Sequence, residues 1–193
     1  METFGKPETS LSAVGASRAR VITLEATKLI LAGTAAPALA ALLDKPMRLP
    51  GHSVIFWFLP LALGLALGRM RGRGVVMGAA AGLVAAGLGG RHPVMNFSEY
   101  VVIGAALDRF VILRPLKNLV AIFFFWFGCG LAANLARLSV KYATFFIPRP
   151  HVPSNLSGVP WQIISYSLWG LAAGLVVGLG MLVVEFQKRR AKR

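Results

Sequence analysis

Apolar positions in this chain gather into long runs instead of alternating or recurring once per helical turn. That pattern predicts helices that are apolar on most sides, the kind buried in protein or in lipid. A helix crosses the hydrocarbon core of a bilayer in about 20 mostly apolar residues. By that ruler six segments qualify, at about 21–43, 53–68, 74–90, 94–113, 118–137 and 160–185. The first carries Glu25 and Lys28 in its opening turns, within snorkelling reach of the headgroups. The second follows the Pro50-Gly51-His52 turn and contains Pro60; the third is short but uncharged. The fourth is the most polar, with Asn96, Glu99, Asp108 and Arg109, and the sixth is the longest and cleanest. The expected fold is all-α: a bundle of six transmembrane helices over residues 21–186. Residues 1–20, polar and rich in small side chains, read as a disordered cytoplasmic tail, and residues 187–193 as a basic cytoplasmic tail.

Composition agrees and removes other classes. Of 193 residues, 56% are hydrophobic and only 15% charged, against roughly 25% charged in a soluble domain. Too few charges remain to coat a water-facing surface, which excludes a soluble enzyme and a disordered basic tail. The single cysteine, Cys129, excludes a disulfide scaffold and reads as a small packing residue. The charges are lopsided, with 21 Lys and Arg against 7 Asp and Glu, a formal net charge of +14. Their placement explains the excess without a nucleic-acid partner. With six spans, one side holds Lys6, Arg18, Arg20, Arg69, Arg71, Arg73, Arg114, Lys117 and the five basic residues of the C-terminal tail. The other holds Lys45, Arg48, Arg91, Arg137, Lys141 and Arg149. Cytoplasmic loops carry the basic excess, so both termini are expected in the cytoplasm of a multi-pass protein of the cell (inner) membrane. Merging the second and third spans would bury Arg69, Arg71 and Arg73 in lipid. A signal-peptidase site at Ala38-Leu39-Ala40 would need too long a basic leader and a proline inside its apolar core.

Small residues recur every fourth position: Gly74, Gly78, Gly82, Ala86 and Gly90 in the third span, Gly170, Gly174 and Gly178 in the sixth, Gly64 and Gly68 in the second, Ala32, Ala36 and Ala40 in the first. In lipid such faces let backbones approach. They predict packing inside the bundle for spans two, three and six, and packing or docking on a partner subunit for the first.

Polar side chains inside a membrane are costly and point to function by default. Here they concentrate at one depth, on the outer side. Asn96, Glu99 and Tyr100 share a helical face in the fourth span; Asn134 and Arg137 end the fifth. Trp161, Gln162, Ser165, Tyr166 and Trp169 open the sixth, and His52, Ser53 and Trp57 the second. One reading is an interfacial aromatic belt, with Glu99 paired to Arg91 or Arg137. The other is an outward pocket whose rings stack on a flat ligand while Glu99, Asn96, Gln162 and Asn134 orient it. A belt does not require four polar side chains at neighbouring depth, which favours the pocket. Rings with an acceptor carboxylate suit a flat, nitrogen-rich or cationic heterocycle. His52, His92 and His151 all fall in outer loops, but no carboxylate or thiol spacing supports a metal site. No H-E-x-x-H, G-x-S-x-G, paired intramembrane glutamates or Walker A sequence is present, so neither catalysis nor ATP-driven transport by this chain alone is expected, and no cofactor is implied.

Six spans in under 200 residues, cytoplasmic termini and an outward polar–aromatic cluster resemble the substrate-binding S components of energy-coupling factor (ECF) vitamin transporters. The resemblance covers about 21–186 and lies in architecture more than in a signature. It implies capture of a small vitamin-like molecule from outside by spans four to six, with Asp44–Gly51 and residues 138–159 as lids. It also implies a transmembrane T subunit and a pair of ABC ATPases as partners. The family's Ala-x-x-x-Ala face on the first span, which docks on the T subunit, is matched in spacing by Ala32, Ala36 and Ala40, with Pro37 interrupting it. The alternative is a small integral-membrane enzyme or accessory subunit acting on lipid or cell-envelope substrates, with Asp108, Arg109 and Arg114 carrying the function beside a basic rim that gathers anionic headgroups.

Overall fold

A computed structural model describes residues 9–43, 50–88, 92–112, 118–145 and 158–191. Among these residues the chain forms six helices and no strand: α1 (Thr9–Leu43), α2 (Val54–Leu67), α3 (Arg73–Gly87), α4 (Pro93–Ile112), α5 (Leu119–Phe145) and α6 (Val159–Arg190). Three segments are long and apolar enough to cross a membrane: Ala19–Leu43, Leu119–Ala143 and Val159–Gln187. α2 and α3 are apolar but shorter, at 14 and 15 residues. At 1.5 Å per residue they reach only about 21–23 Å, against a hydrocarbon core of about 30 Å. α4 has the length, but Glu99, Asp108 and Arg109 interrupt its apolar run.

Three boundaries differ from the pattern-based expectation. α1 is helical from Thr9, where residues 1–20 read as a disordered tail; residues 1–8 lie outside the described residues. Ala, Leu and Arg in that stretch are good helix formers, and extending an existing helix needs no new nucleus. α5 continues to Phe145, eight residues past the end of its apolar run, and so carries Lys141 and Tyr142 on a helix instead of a loop. α6 likewise runs through Arg190, with Glu185 and Arg189 paired one turn apart at 3.4 Å.

Consecutive helices run antiparallel. Gly64 and Gly68 of the second hairpin arm meet Ala32 and Leu29 of α1; Gly74, Gly78 and Gly82 of α3 meet Gly104, Tyr100 and Phe97 of α4; Gly130 of α5 meets Gly170 and Gly174 of α6. The start of α1 and the end of α6 therefore share one end of the bundle, called here the tail end, and the turn before α2 lies at the other, the loop end. α1, α3, α4, α5 and α6 pack in sequence around α2, which touches α1, α3, α5 and α6.

Sequence chemistry accounts for this packing. The glycine ladders are helix–helix seams: a Cβ on Gly174 would stand 2.6 Å from the Phe127 carbonyl oxygen, and one on Gly82 2.8 Å from that of Phe97. Only a residue without a side chain allows that approach. The core is built on α2, with Trp57, Phe58, Leu61 and Leu65 packed against Leu29, Met77, Ile103, Leu107 and Trp126. Large apolar side chains also cover the outside of every helix, among them Leu31, Leu63, Leu83, Val102, Phe124 and Leu168. A surface of that kind fits lipid, not water.

Candidate functional site

The shortness of α2 shapes the site. Between long neighbours its first turn lies below the loop end of α5 and α6, and the recess above it is a cavity of 470 Å³. Its lining is Pro50, Gly51, His52 and Ser53 from the turn before α2, Arg137 and Lys141 from α5, and Gln162 and Tyr166 from α6. A larger groove of 700 Å³ runs between α5 and α6 at the tail end, but Leu119, Val120, Phe123, Leu179, Leu182 and Phe186 make most of its wall apolar. The recess offers convergent polar groups of the kind that orient a small solute; a second polar cavity, of 530 Å³ at the tail end, is lined by Arg69, Arg71, Arg73 and Asp108.

Three backbone features hold the turn. Gly51 has φ +83°, a left-handed conformation, and a Cβ there would stand 3.0 Å from the Tyr166 ring; conformation and space both require glycine. Its carbonyl, with that of Tyr166, accepts from Asn134 Nδ2, at 3.4 and 2.7 Å. The Pro50 carbonyl accepts from the Ser165 hydroxyl at 2.6 Å. Asn134 and Ser165 thus tie the turn to α5 and α6.

Beneath the cavity lies a buried ion pair. Arg137 Nε donates to Glu99 Oε2 at 2.8 Å, and Nη1 donates to the Ser53 hydroxyl at 2.7 Å. The guanidinium lies 5.8 Å from the centre of the Trp57 ring, and Trp57 meets Tyr100 edge to face. Glu99 is only 3% exposed, whereas Arg137 keeps 21% and borders the recess. α4, α5 and α2 therefore meet through one carboxylate, one guanidinium and one hydroxyl. Higher up, Lys141 Nζ donates to the Tyr166 hydroxyl at 2.7 Å, and the Tyr142 hydroxyl lies 3.4 Å from Gln162 Oε1. Asn134 Oδ1 and Trp57 Nε1 are buried with no hydrogen-bond partner among the described residues. Each costs ~1–3 kcal/mol unless water reaches it.

The residues singled out in the sequence occupy three positions relative to this cavity. Gln162 and Tyr166 line it. Glu99, Asn134, Ser165, Trp57 and Tyr100 form the buried layer around and beneath it, and Trp169 meets the His52 ring at 6.3 Å. Trp161 is 56% exposed on the outer side of α6, and Asn96, half-buried near the start of α4, is not part of the lining. Glu99, read from the sequence either as a partner of Arg91 or Arg137 or as an acceptor for a ligand, is held by Arg137. Lys141 was hidden by the early end of the apolar run, although Asn134, Arg137 and Lys141 are spaced i, i+3 and i+7, one face of a continuing helix. His52 lines the cavity and His92 is exposed at the start of α4; His151 and Arg91 lie outside the described residues.

Two further groups of interest lie elsewhere. Ala36 is fully buried, Ala32 and Ala40 pack partly against the core, and a Cβ on Gly64 would stand 2.8 Å from that of Ala32. The alanine face of α1 is therefore turned into the bundle. At the tail end, Asp108 of α4 accepts from the backbone N–H groups of Gly74 and Val75 at 2.8 and 2.9 Å. It supplies from another helix the cap that α3 lacks locally. Arg114 lies outside the described residues. The chain matches no family model, no curated protein and no solved structure.

Proposed function

We propose that this chain is a six-span membrane protein with both termini in the cytoplasm, and that its loop-end recess captures a small water-soluble molecule from outside the cell (inner) membrane. In this reading it serves as the substrate-binding subunit of an ECF-type importer, handing its ligand to a T subunit energised by a pair of ABC ATPases, and performs no catalysis itself. The observation that carries the reading is the 470 Å³ recess over the start of α2: a polar, aromatic-edged cavity at the end opposite Arg69, Arg71 and Arg73, which with Asp108 line a charged cavity of their own. Arg69 and Arg71 between α2 and α3, with Arg73 at the start of α3, support the tail end as the cytoplasmic one. Because the alanine face of α1 packs on α2 and α3, docking of the T subunit falls to the exposed stripe of Leu24, Leu31 and Leu42. Asp108 is occupied in capping α3, which speaks against the enzyme alternative.

The test is ligand-dependent stabilisation. The full chain in nanodiscs is heated in the presence of each water-soluble vitamin and its biosynthetic precursors. A saturable rise in the unfolding midpoint with one of them, lost in Tyr166→Ala, supports the reading; no rise with any compound overturns it. Topology has its own check. After Cys129→Ala, a cysteine at His92 should react with a membrane-impermeant thiol reagent added outside cells, and one at Arg71 should not.

A further inference from the structure

We infer that the groove between α5 and α6 at the tail end holds an acyl chain of an anionic phospholipid, with the headgroup phosphate on Arg190. The inference asks only that these two helices lie in a bilayer; solute capture at the other end plays no part in it. The groove has a cause in the sequence. On α6, Gly170, Gly174, Gly178, Leu182, Phe186 and Arg190 recur at every fourth position and so share one helical stripe. The three glycines make the seam with α5. A Cβ on Gly170 would stand 2.8 Å from the Gly130 carbonyl oxygen, one on Gly174 2.6 Å from that of Phe127, and one on Gly178 3.2 Å from Phe123. Beyond Gly178 the stripe turns to Leu182 and Phe186, whose side chains forbid backbone contact, and there the 700 Å³ groove opens. Phe123 forms its α5 wall, braced edge to face by Phe124 and stacked with Phe127 at 6.2 Å.

Length and charge select the occupant. On α6 the lining runs from Leu179 to Arg190, a rise of about 16 Å at 1.5 Å per residue. One leaflet of the hydrocarbon core is about 15 Å deep, half of the whole. The wall is apolar along that length and becomes polar only at the tail-end mouth, with Gln187 and Arg190. The apolar span of α6 ends at Gln187, so Arg190 lies about one turn beyond it, within snorkelling reach of the headgroups. A guanidinium there meets phosphate oxygens with paired N–H donors. Glu185, the carboxylate of the same helix end, is paired with Arg189 and lies outside the lining. A partner helix fits this groove poorly. Helix interfaces in lipid are rich in small residues, and no Gly, Ala, Ser or Thr is among the described lining. A helix 10–12 Å across would also need more than about 1,200 Å³ over the same length.

Native mass spectrometry of the full chain in detergent, titrated with phosphatidylglycerol or phosphatidylcholine of identical acyl chains, reads the affinity of the first lipid bound. Phosphatidylglycerol should bind roughly fivefold more tightly, the attraction of one basic side chain at an anionic membrane surface. Arg190→Gln should abolish that preference and leave phosphatidylcholine unchanged. Val183→Trp fills the groove from an exposed position and should weaken both lipids, whereas Val184→Trp, exposed but outside the lining, should weaken neither. In cells, p-benzoylphenylalanine in place of Phe186 sets a photoreactive ketone in the groove, and irradiation should give an adduct of phospholipid mass. Equal affinity for the two lipids, or a preference that survives Arg190→Gln, overturns the headgroup assignment. Lipid binding unchanged in Val183→Trp overturns the groove as the site. A protein adduct at position 186 in place of a lipid one gives the groove to a partner helix and overturns the proposal, even where a tryptophan variant fails to fold.

Discussion

α4 carries two carboxylates nine residues apart, and the bundle satisfies them in opposite ways. At the loop end Glu99 is held by a side chain, the Arg137 guanidinium, which also reaches Ser53 and borders a cavity. At the tail end Asp108 is held by backbone, the N–H groups of Gly74 and Val75 at the first turn of α3. Each end also has a glycine with positive φ, Gly51 before α2 and Gly72 before α3. The difference separates two uses of a buried charge. A carboxylate on backbone donors completes a helix start and stabilises a fold. A carboxylate on an arginine leaves the arginine other donors and a fixed aim, which is what a binding site needs. The first is local in consequence; the second ties α2, α4 and α5 into one charged unit.

The largest effect is therefore expected at Glu99. Glu99→Ala removes one partner of a buried pair and strands the Arg137 guanidinium, a change that costs about 3–5 kcal/mol in comparable pairs. The unfolding midpoint in nanodiscs should fall steeply, and Glu99→Ala combined with Arg137→Met should recover most of the loss, because no charge is then left unpaired. A double variant as unstable as the single would mean that the pair is not the unit holding the helices. Next in size is Gly51→Ala. An alanine at φ +83° is strained by ~1–2 kcal/mol, and its Cβ would press on the Tyr166 ring at 3.0 Å, so a total of about 2–3 kcal/mol is expected. Displacing Tyr166 moves a wall of the recess and one hydrogen-bond partner of Lys141, so ligand binding at the recess should weaken along with stability.

The contrast between the ends also shows what could be read from the chain. The glycine ladders of α3 and α6 declare their seams, because four-residue spacing of glycine has few other uses in an apolar helix. Glu99, Asn134, Gln162 and Tyr166 could be placed at one depth by counting along the spans, but counting gives no azimuth around a helix axis. The pairing of Glu99 with Arg137 depends on that azimuth, so the sequence leaves the carboxylate two readings, partner of Arg91 or Arg137 or acceptor for a ligand, and the 2.8 Å bond to Arg137 shows the pair. Lys141 was obscured for another reason: the apolar run ends before the helix does. The alanine face of α1 had two physically equal destinations, a partner or the bundle, and only the position of α2 against it decides. Asp108 as a cap for a helix 34 residues away has no local signature at all.

At the tail end the expected losses are smaller. Asp108→Ala removes two bonds to the opening N–H groups of α3 and should cost ~1–2 kcal/mol, the range of a strong helix cap. Asp108→Asn, which still accepts through one oxygen, should cost less. Neither should alter ligand binding at the recess, since α3 contributes nothing to its lining; a change in that affinity would show that the two ends are coupled through α4.

Gly72→Ala is the smallest and sharpest of these tests. Gly72 has φ +74°, like Gly51, but a Cβ there would meet nothing within 4 Å. The two positions differ in surroundings and hardly in backbone, so the Gly72 variant isolates the conformational cost, about 1 kcal/mol. Gly72→Asn should recover part of that, because asparagine visits the left-handed region more readily than alanine. If Gly72→Ala lowers the unfolding midpoint as much as Gly51→Ala does, the Tyr166 contact contributes little, and the turn above α2 is held by backbone alone. A clearly smaller loss at Gly72 assigns the remainder to the wall that Tyr166 forms, the same wall that aims Lys141 into the recess.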